Sequence, residues 1–151
     1  PAEPFAVRLV AVLALLAGDV VLPEPVPRVE LARRESTEVA FTFRVADGYH
    51  VQANPAANEF LIPASLELRN ACGVKAGPPV YPAPVALRLE GTDRDLAVWD
   101  HSFQVVVPLA AGRFARRGEC ELRGTLVFQA CDERTCLPPA SVDVSLPVRI
   151  R

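Results

Sequence analysis

The stretch "EVAFTFRVADG" (Glu38 to Gly48) shows the pattern that decides the fold class of this 151-residue chain. Its apolar residues include every second position, 39, 41, 43 and 45, and Thr42 and Arg44 lie between them. A period of two places these apolar side chains on one face of an extended strand, as in a strand buried on one side. The pair Asp47-Gly48 follows and favours a tight turn. The stretch therefore predicts a half-buried strand that ends in a turn.

The same alternation returns in five later stretches: "SLELRNAC" (65–72), "VALRLEG" (85–91), "SFQVVVPL" (102–109), "CELRGTLVFQA" (120–130) and "SVDVSLPVR" (141–149). Turn signals separate most of them, and no convincing amphipathic helix follows residue 28. The 15 prolines suit strand edges and turns and are disfavoured inside helices. We therefore predict an all-β, immunoglobulin-like antiparallel β-sandwich over residues 28–151. Its expected core includes Phe41, Phe43, Leu87, Phe103, Val105, Leu126 and Phe128.

Composition bounds the class of protein. The length is that of one ordinary domain, and half of the residues are hydrophobic, which is typical of a globular chain. The formal net charge is −2 and the positive charges are scattered, so the basic surface that nucleic-acid binding requires is missing. No phosphate-binding loop, dinucleotide fingerprint, nucleophile-elbow serine or H-E-x-x-H motif occurs.

Residues 1–27 are predicted to form an N-terminal extension. The apolar run "VRLVAVLALLAG" (7–18) is shorter than the roughly 20 residues that span a bilayer. Two interpretations stay open for it: the remnant of a secretory signal, or a buried first strand or short helix. The proline-rich stretch "LPEPVPR" (22–28) is predicted to be an extended linker to the domain that follows.

The four cysteines separate into two pairs by phase and spacing. Cys72 has the parity of Leu66 and Leu68, and Cys120 has the parity of Leu122, so both are expected to point toward the core. A disulfide between them would close a loop of about 50 residues and restrict the unfolded chain by about 4 kcal/mol. We favour a structural Cys72–Cys120 disulfide, the alternative being two separate buried thiols.

The second pair lies in "QACDERTCLPP" (129–139), with four residues between Cys131 and Cys136. A disulfide closing a loop of about 6 residues contributes only about 2 kcal/mol on the same entropic relation, so it is a poor structural link. A metal site lacks ligands, because neither His50 nor His101 stands at a ligand spacing from the pair. Spacing alone leaves two interpretations: a redox-active disulfide and a merely structural hairpin disulfide.

"GTLVFQACDERTCLPP" (124–139), with "DGYHVQANPAANEFLIPASLEL" (47–68) upstream, resembles the N-terminal periplasmic domain of the bacterial thiol:disulfide interchange protein DsbD. That family shows a strand ending in aromatic-Gln-x-Cys, a short polar loop, a second Cys and a Pro-Pro pair. The matching positions here are Phe128, Gln129, Cys131, Cys136, Pro138 and Pro139. The resemblance covers roughly residues 28–149, most of the chain.

The resemblance implies an immunoglobulin-like, periplasmic domain that relays reducing equivalents by thiol–disulfide exchange at Cys131 and Cys136, with no metal or organic cofactor. The implied donor is a thioredoxin-like domain of the same or an associated reductase. The implied acceptors are periplasmic thioredoxin-fold proteins, such as disulfide isomerases and cytochrome c maturation thioredoxins. A transmembrane domain after the chain would tether it to the inner membrane. In the family the second cysteine forms the mixed disulfide, which implies that Cys136 attacks partners and Cys131 resolves.

The chain departs from the family around the site. Residue 137 is Leu where many members carry an aromatic, and family members shield the cysteines with a short cap loop. The nearest candidate for that loop, "GTDRDLAVWD" (91–100), does not match residue by residue, and its Trp99 is either a shield or core. Tyr49 and His50 stand where the family places aromatics near the site, so these two residues, Trp99 and Leu137 are the candidate shielding residues.

Two other functions remain as alternatives. The first is a non-catalytic, exported immunoglobulin-like binding module whose disulfides are purely structural; a measured reduction potential would separate it from a redox relay. The second, a metal-binding or copper-handling immunoglobulin-like domain, ranks far behind because the chain lacks Met and clustered His.

Overall fold

A computed structural model describes residues 16–91 and 93–151, so most of the ambiguous run 7–18 lies outside the described residues. The described part forms one 3₁₀ turn at Ala17–Asp19 and twelve strands. The strands are β1 (Val21–Pro23), β2 (Val29–Leu31), β3 (Ser36–Val45), β4 (His50–Gln52), β5 (Ser65–Leu68), β6 (Val74–Ala76), β7 (Val85–Arg88), β8 (Asp95–Trp99), β9 (Ser102–Ala111), β10 (Gly118–Phe128), β11 (Ala130–Cys131) and β12 (Ala140–Ile150). The stretch 38–48 lies in β3 and its turn, as predicted.

The strands form three four-stranded sheets, and two of these make the sandwich. Sheet A has the order β1-β3-β9-β6, sheet B the order β2-β12-β10-β5, and the small sheet C the order β11-β4-β8-β7. Neighbouring strands are antiparallel in every described pair except β2 and β12, which run parallel. The immunoglobulin-like β-sandwich is thus confirmed, with sheet C as an addition that the alternation did not predict.

One hydrophobic core lies between sheets A and B, and it is built from the alternating positions of the long strands. Six of the seven expected core residues are buried there: Phe41, Phe43, Phe103, Val105, Leu126 and Phe128. The prediction for Leu87 is wrong, because it is only half-buried. Leu87 lies on β7, the edge strand of sheet C, where neighbouring Val85 is 49% exposed. An edge strand of a small sheet has fewer neighbours to cover its side chains.

The segment before residue 28 takes part in the sandwich. β1 pairs with β3 at the edge of sheet A, and Val20 and Val21 belong to the core. The backbone amide of Glu24 still donates to the Thr42 carbonyl at 2.8 Å, after which the chain crosses to β2 in sheet B. The predicted linker therefore begins within an edge strand and connects the two sheets. The domain boundary at residue 28 stays a prediction.

The chain enters sheet C twice, once from sheet A and once from sheet B. The predicted turn after β3 is present, with Gly48 at φ 82°, and it leads from sheet A into β4. β10 of sheet B ends at Phe128, and one residue later β11 pairs with β4. Trp99 of β8 packs onto the core through its stacking with Phe103, with the ring centroids 4.6 Å apart. Sheet C thus holds the segment around Cys131 against the sandwich.

Candidate redox site

The Cys131–Cys136 disulfide closes a tight loop at the edge of sheet C. The two cysteines are bonded, with Cα atoms 3.9 Å apart. Cys131 ends β11, and on the other side of the loop the Leu137 amide donates to the Ala130 carbonyl at 2.7 Å. Backbone pairing therefore returns the chain beside β11 directly after Cys136.

Asp132 organises the polar loop between the cysteines. Its Oδ1 accepts hydrogen bonds from the backbone amides of Arg134 and Thr135, both at 2.8 Å, and its own amide donates to the Thr135 carbonyl. The Arg134 amide and then the Thr135 amide hold the pKa of the Asp132 carboxyl below its ordinary value, because both bonds favour the charged form. The charged residue between the cysteines therefore fixes the shape of the loop.

The two sulfur-bearing residues differ in exposure. Cys131 is 0% exposed, whereas Cys136 is only partly buried. Attack on a disulfide requires access to one of its sulfurs, and Cys136 is the more exposed residue of this pair. Cys131 is the inner member of the pair.

Gln52 is a residue of this site that the sequence reasoning missed. It is completely buried on β4, and its Nε2 donates to Cys131 Sγ at 3.2 Å. The available signal was the polar pair His50 and Gln52, which alternates with apolar Val51 and Ala53. Such alternation alone predicts a solvated face, so burial of the glutamine needed the structure.

The candidate shielding residues fall in different places. His50 lies directly opposite Cys131 in the β4–β11 register, and residues opposite each other share one face of a sheet. Trp99 lies opposite Val51, the residue after His50. Successive side chains of a strand point to opposite faces, so Trp99 is on the other face of sheet C from Cys131. It is 4% exposed and stacks with Tyr81 and Phe103, which places it in the core and not over the disulfide.

Tyr49 and Leu137 are both partly buried and pack against the main core. Leu137 directly follows Cys136, and Tyr49 directly precedes β4. Both therefore adjoin the site in the chain, and their role as shields stays a prediction.

The candidate cap loop 91–100 supplies β8 and the turn before it, whose residue 92 lies outside the described residues. In sheet C, β8 is separated from β11 by β4. A different loop, 53–64, adjoins the motif: the Ile62 amide donates to Gln129 Oε1 at 3.1 Å. This loop carries Phe60, which is 85% exposed.

The second disulfide lies at a turn and not between two strands. Cys72 and Cys120 are bonded, and their Cα atoms are 6.5 Å apart. Cys120 is in β10 as expected, but β5 ends at Leu68, and Cys72 and Gly73 both have positive φ in a tight turn before β6. Both cysteines are only partly buried, so the expectation that both point into the core fails. Parity failed because the strand ends before Cys72.

Within residues 16–91 and 93–151, no group of three or more His, Cys, Asp or Glu side chains is placed to hold a metal ion. In the same ranges no helix is long and apolar enough to cross a membrane.

The fold and the site define an immunoglobulin-like domain that carries a short-loop, half-accessible disulfide, which is the architecture of a thiol–disulfide interchange domain. A family model, "Thiol:disulfide interchange protein DsbD, N-terminal", matches residues 17–147. The chain belongs to that family, and the resemblance drawn from the cysteine motif is confirmed. No curated protein sequence matches the chain.

Two solved structures are similar to the chain. The N-terminal periplasmic domain of ScsB from Proteus mirabilis aligns over 78% of this chain and 43% of its own length, at 14% identity and a TM-score of 0.50. The chain thus spans less than half of that domain, and the likeness supports the fold alone. The second comes from the structure of the complex between the DsbD N-terminal and PilB N-terminal domains from Neisseria meningitidis. It aligns over 72% of this chain and 73% of its own length, at 20% identity and a TM-score of 0.48.

Proposed function

We propose that this domain relays reducing equivalents through reversible exchange at Cys131 and Cys136. The observation that carries the proposal is the unequal burial of the two sulfur-bearing residues, with Cys131 fully buried and Cys136 partly exposed. An exchanging disulfide needs one accessible sulfur for the partner and one that completes the cycle within the domain. Family membership supports the same chemistry.

The cycle conserves atoms and electrons. In the reduced domain, the Cys136 thiolate attacks a partner disulfide, a mixed disulfide forms, and the partner's second sulfur leaves as a thiolate. The Cys131 thiolate then attacks Cys136 Sγ, the Cys131–Cys136 bond forms, and the partner's first sulfur leaves. Two electrons have passed to the partner, whose thiolates take protons from water. A dithiol donor regenerates the reduced domain by the reverse sequence.

The proposed location is the periplasm, and the proposed partners are thioredoxin-fold proteins. The donor would be a thioredoxin-like domain of the same or an associated reductase that receives electrons from a membrane domain. The acceptors would be extracytoplasmic disulfide isomerases and cytochrome c maturation thioredoxins. The direction of electron flow is part of this proposal and follows from the family resemblance.

The roles of the two cysteines are tested by replacing each with serine. The substrate is a thioredoxin-fold partner that retains only its attacking cysteine, activated as a mixed disulfide with thionitrobenzoate. Cys131→Ser should release thionitrobenzoate rapidly and accumulate a protein–protein disulfide through Cys136, because no resolving thiol remains. Cys136→Ser should react slowly, because Cys131 is buried. Reversed yields would reverse the roles.

The reduction potential separates this proposal from a structural disulfide in a binding module. Structural disulfides in secreted proteins lie below about −300 mV, and exchanging ones are more oxidising. We expect Cys131–Cys136 to equilibrate in the exchanging range and Cys72–Cys120 to resist the same buffer. A Cys131–Cys136 potential below that limit, with neither serine variant reacting, would contradict the relay.

A further inference from the structure

We propose that Gln52 is a further catalytic residue of this site: its side-chain amide stabilises the negative charge that develops on Cys131 Sγ when the disulfide opens. The inference rests on the proposed exchange for its biological meaning. Its structural basis is the 3.2 Å hydrogen bond from Gln52 Nε2 to Cys131 Sγ.

The backbone holds Gln52 in place from two sides. Its amide donates to the Gln129 carbonyl at 3.0 Å, and its carbonyl accepts from the Ala64 amide at 3.2 Å. Its neighbour Val51 pairs with Ala130, which immediately precedes Cys131. The amide is therefore fixed relative to the inner sulfur.

The hydrogen bonding of this buried side-chain amide is incomplete, so the amide is a poor contributor to stability alone. Gln52 is the one fully buried polar side chain in the described part of the chain, and its Oε1 lacks a hydrogen-bond partner there. A buried amide costs free energy unless it is hydrogen-bonded, and sulfur is a weak acceptor. Val98 lies directly opposite Gln52 on β8 and is fully buried, so the neighbouring position on this face of sheet C is occupied by an apolar side chain.

The hydrogen bond becomes strong when the sulfur is charged. As a partner thiolate attacks Cys136 Sγ, the new bond forms while the Cys131–Cys136 bond breaks, and the electron pair passes to Cys131 Sγ. That sulfur belongs to a fully buried residue, so the charge develops in a medium that disfavours it. The amide of Gln52 points at the atom where the charge appears. In the opposite direction, the same donor raises the thiolate fraction of Cys131 for the resolving step.

The ionisable groups around the loop do not replace this donor. The Asp132 carboxylate is engaged by the Arg134 and Thr135 amides, and Glu133 and Arg134 are exposed in the loop. His50 faces Cys131 across the strand pair, and its buried Nδ1 has no partner among the described residues. Gln52 is thus the described side chain that donates to Cys131 Sγ.

The first experiment titrates the Cys131 thiol in the Cys136→Ser protein, where it is the only free thiol, by thiolate absorbance. Removing the amide with Gln52→Leu should shift the thiolate equilibrium about tenfold toward the thiol and so raise the pKa of Cys131, because the charged sulfur loses its donor. Gln52→Met, of similar length and without a donor, should give the same shift. The matched control is Gln104→Leu, which removes an exposed amide that donates to Thr42 Oγ1 on sheet A; it should change nothing.

A second measurement needs no substitution of Gln52. In the Cys136→Ser protein, the side-chain amide resonance of Gln52 should move with the same midpoint as the thiolate absorbance, while that of Gln104 stays constant. An unchanged Cys131 pKa in folded Gln52 variants, or a Gln52 resonance that ignores the titration, would overturn the inference. If the resonance follows the thiol but no mixed disulfide can be trapped, the hydrogen bond stands and the proposed exchange fails.

Discussion

Removing the Cys72–Cys120 disulfide should lower the free energy of unfolding about twice as much as removing Cys131–Cys136. The paired substitutions are Cys72→Ala with Cys120→Ala, and Cys131→Ala with Cys136→Ala. The first disulfide spans a sequence separation of 48 and the second a separation of 5. The chain-entropy relation converts these loops to about 4 and about 2 kcal/mol. Since a domain is stable by only about 5–15 kcal/mol, the larger loss is a sizeable fraction.

The assay is urea unfolding followed by the fluorescence of Trp99, the only tryptophan. Trp99 is 4% exposed and stacked between Tyr81 and Phe103, so unfolding transfers it from the core to water. The oxidised native protein and the two double variants are compared at one pH and temperature. The slope of the free energy against urea is followed as well, because a changed slope would indicate a changed unfolded or native state.

The same variants test whether one disulfide is structural and the other exchanges with partners. The protein without Cys72 and Cys120 should still exchange with a thioredoxin-fold substrate, whereas the protein without Cys131 and Cys136 should not. Equal losses of stability, or a larger loss for the short loop, would refute the loop-length reasoning. Loss of exchange in the folded Cys72→Ala, Cys120→Ala protein would refute the assignment of that disulfide to structure.

Three further predictions concern the strand and the loop that place the site. Phe128→Ala should cost about 3–5 kcal/mol in urea unfolding, because Phe128 is fully buried at the end of β10, whereas Val127→Ala on the exposed side should stay within about 0.5 kcal/mol. The lowered pKa of Asp132 means that its stabilisation of the loop is fully present above its ordinary value and is lost as the pH falls through the lowered one. Near neutral pH, Asp132→Ala should therefore speed hydrogen exchange at the Arg134 and Thr135 amides, which donate to the Asp132 carboxylate. Unchanged exchange at these amides would contradict the role of Asp132 in the loop. Gly124→Ala should cost about 1–3 kcal/mol, because a Cβ would lie 2.5 Å from a facing β5 carbonyl oxygen, whereas Gly18→Ala, with nothing within 4 Å, should be tolerated; equal stabilities would contradict this packing.

The period-two alternation was sufficient to predict the sandwich and most of its core. Long strands such as β3, β9, β10 and β12 carry enough repeats to show which face is buried, and their buried positions follow the alternation. Short strands do not carry that information. β1, β6 and β11 have two or three residues each, so their pairing is decided by neighbours distant in sequence. Sheet C, in which no strand exceeds five residues, was missed for this reason.

Alternation also gives wrong predictions of burial when it is extended beyond the end of a strand. The alternation extrapolated from Leu66 and Leu68 placed Cys72 in the core, but the chain turns at Cys72 and Gly73 with positive φ. A similar extrapolation placed Leu87 in the core, although β7 is an edge strand. Both errors arise because alternation says which side chains share a face and not what covers that face.

The sequence by itself determined the family, the pairing of the four cysteines and the turn that leads into the site. Those features depend on local spacing: the four residues between Cys131 and Cys136, the Pro-Pro pair and Asp47-Gly48. Only the tertiary structure decided that Trp99 faces the core and that Gln52 reaches Cys131 Sγ. The reason is physical: the contact between Gln52 and Cys131 joins residues 79 positions apart and depends on the register of β4 with β11, which no local pattern specifies.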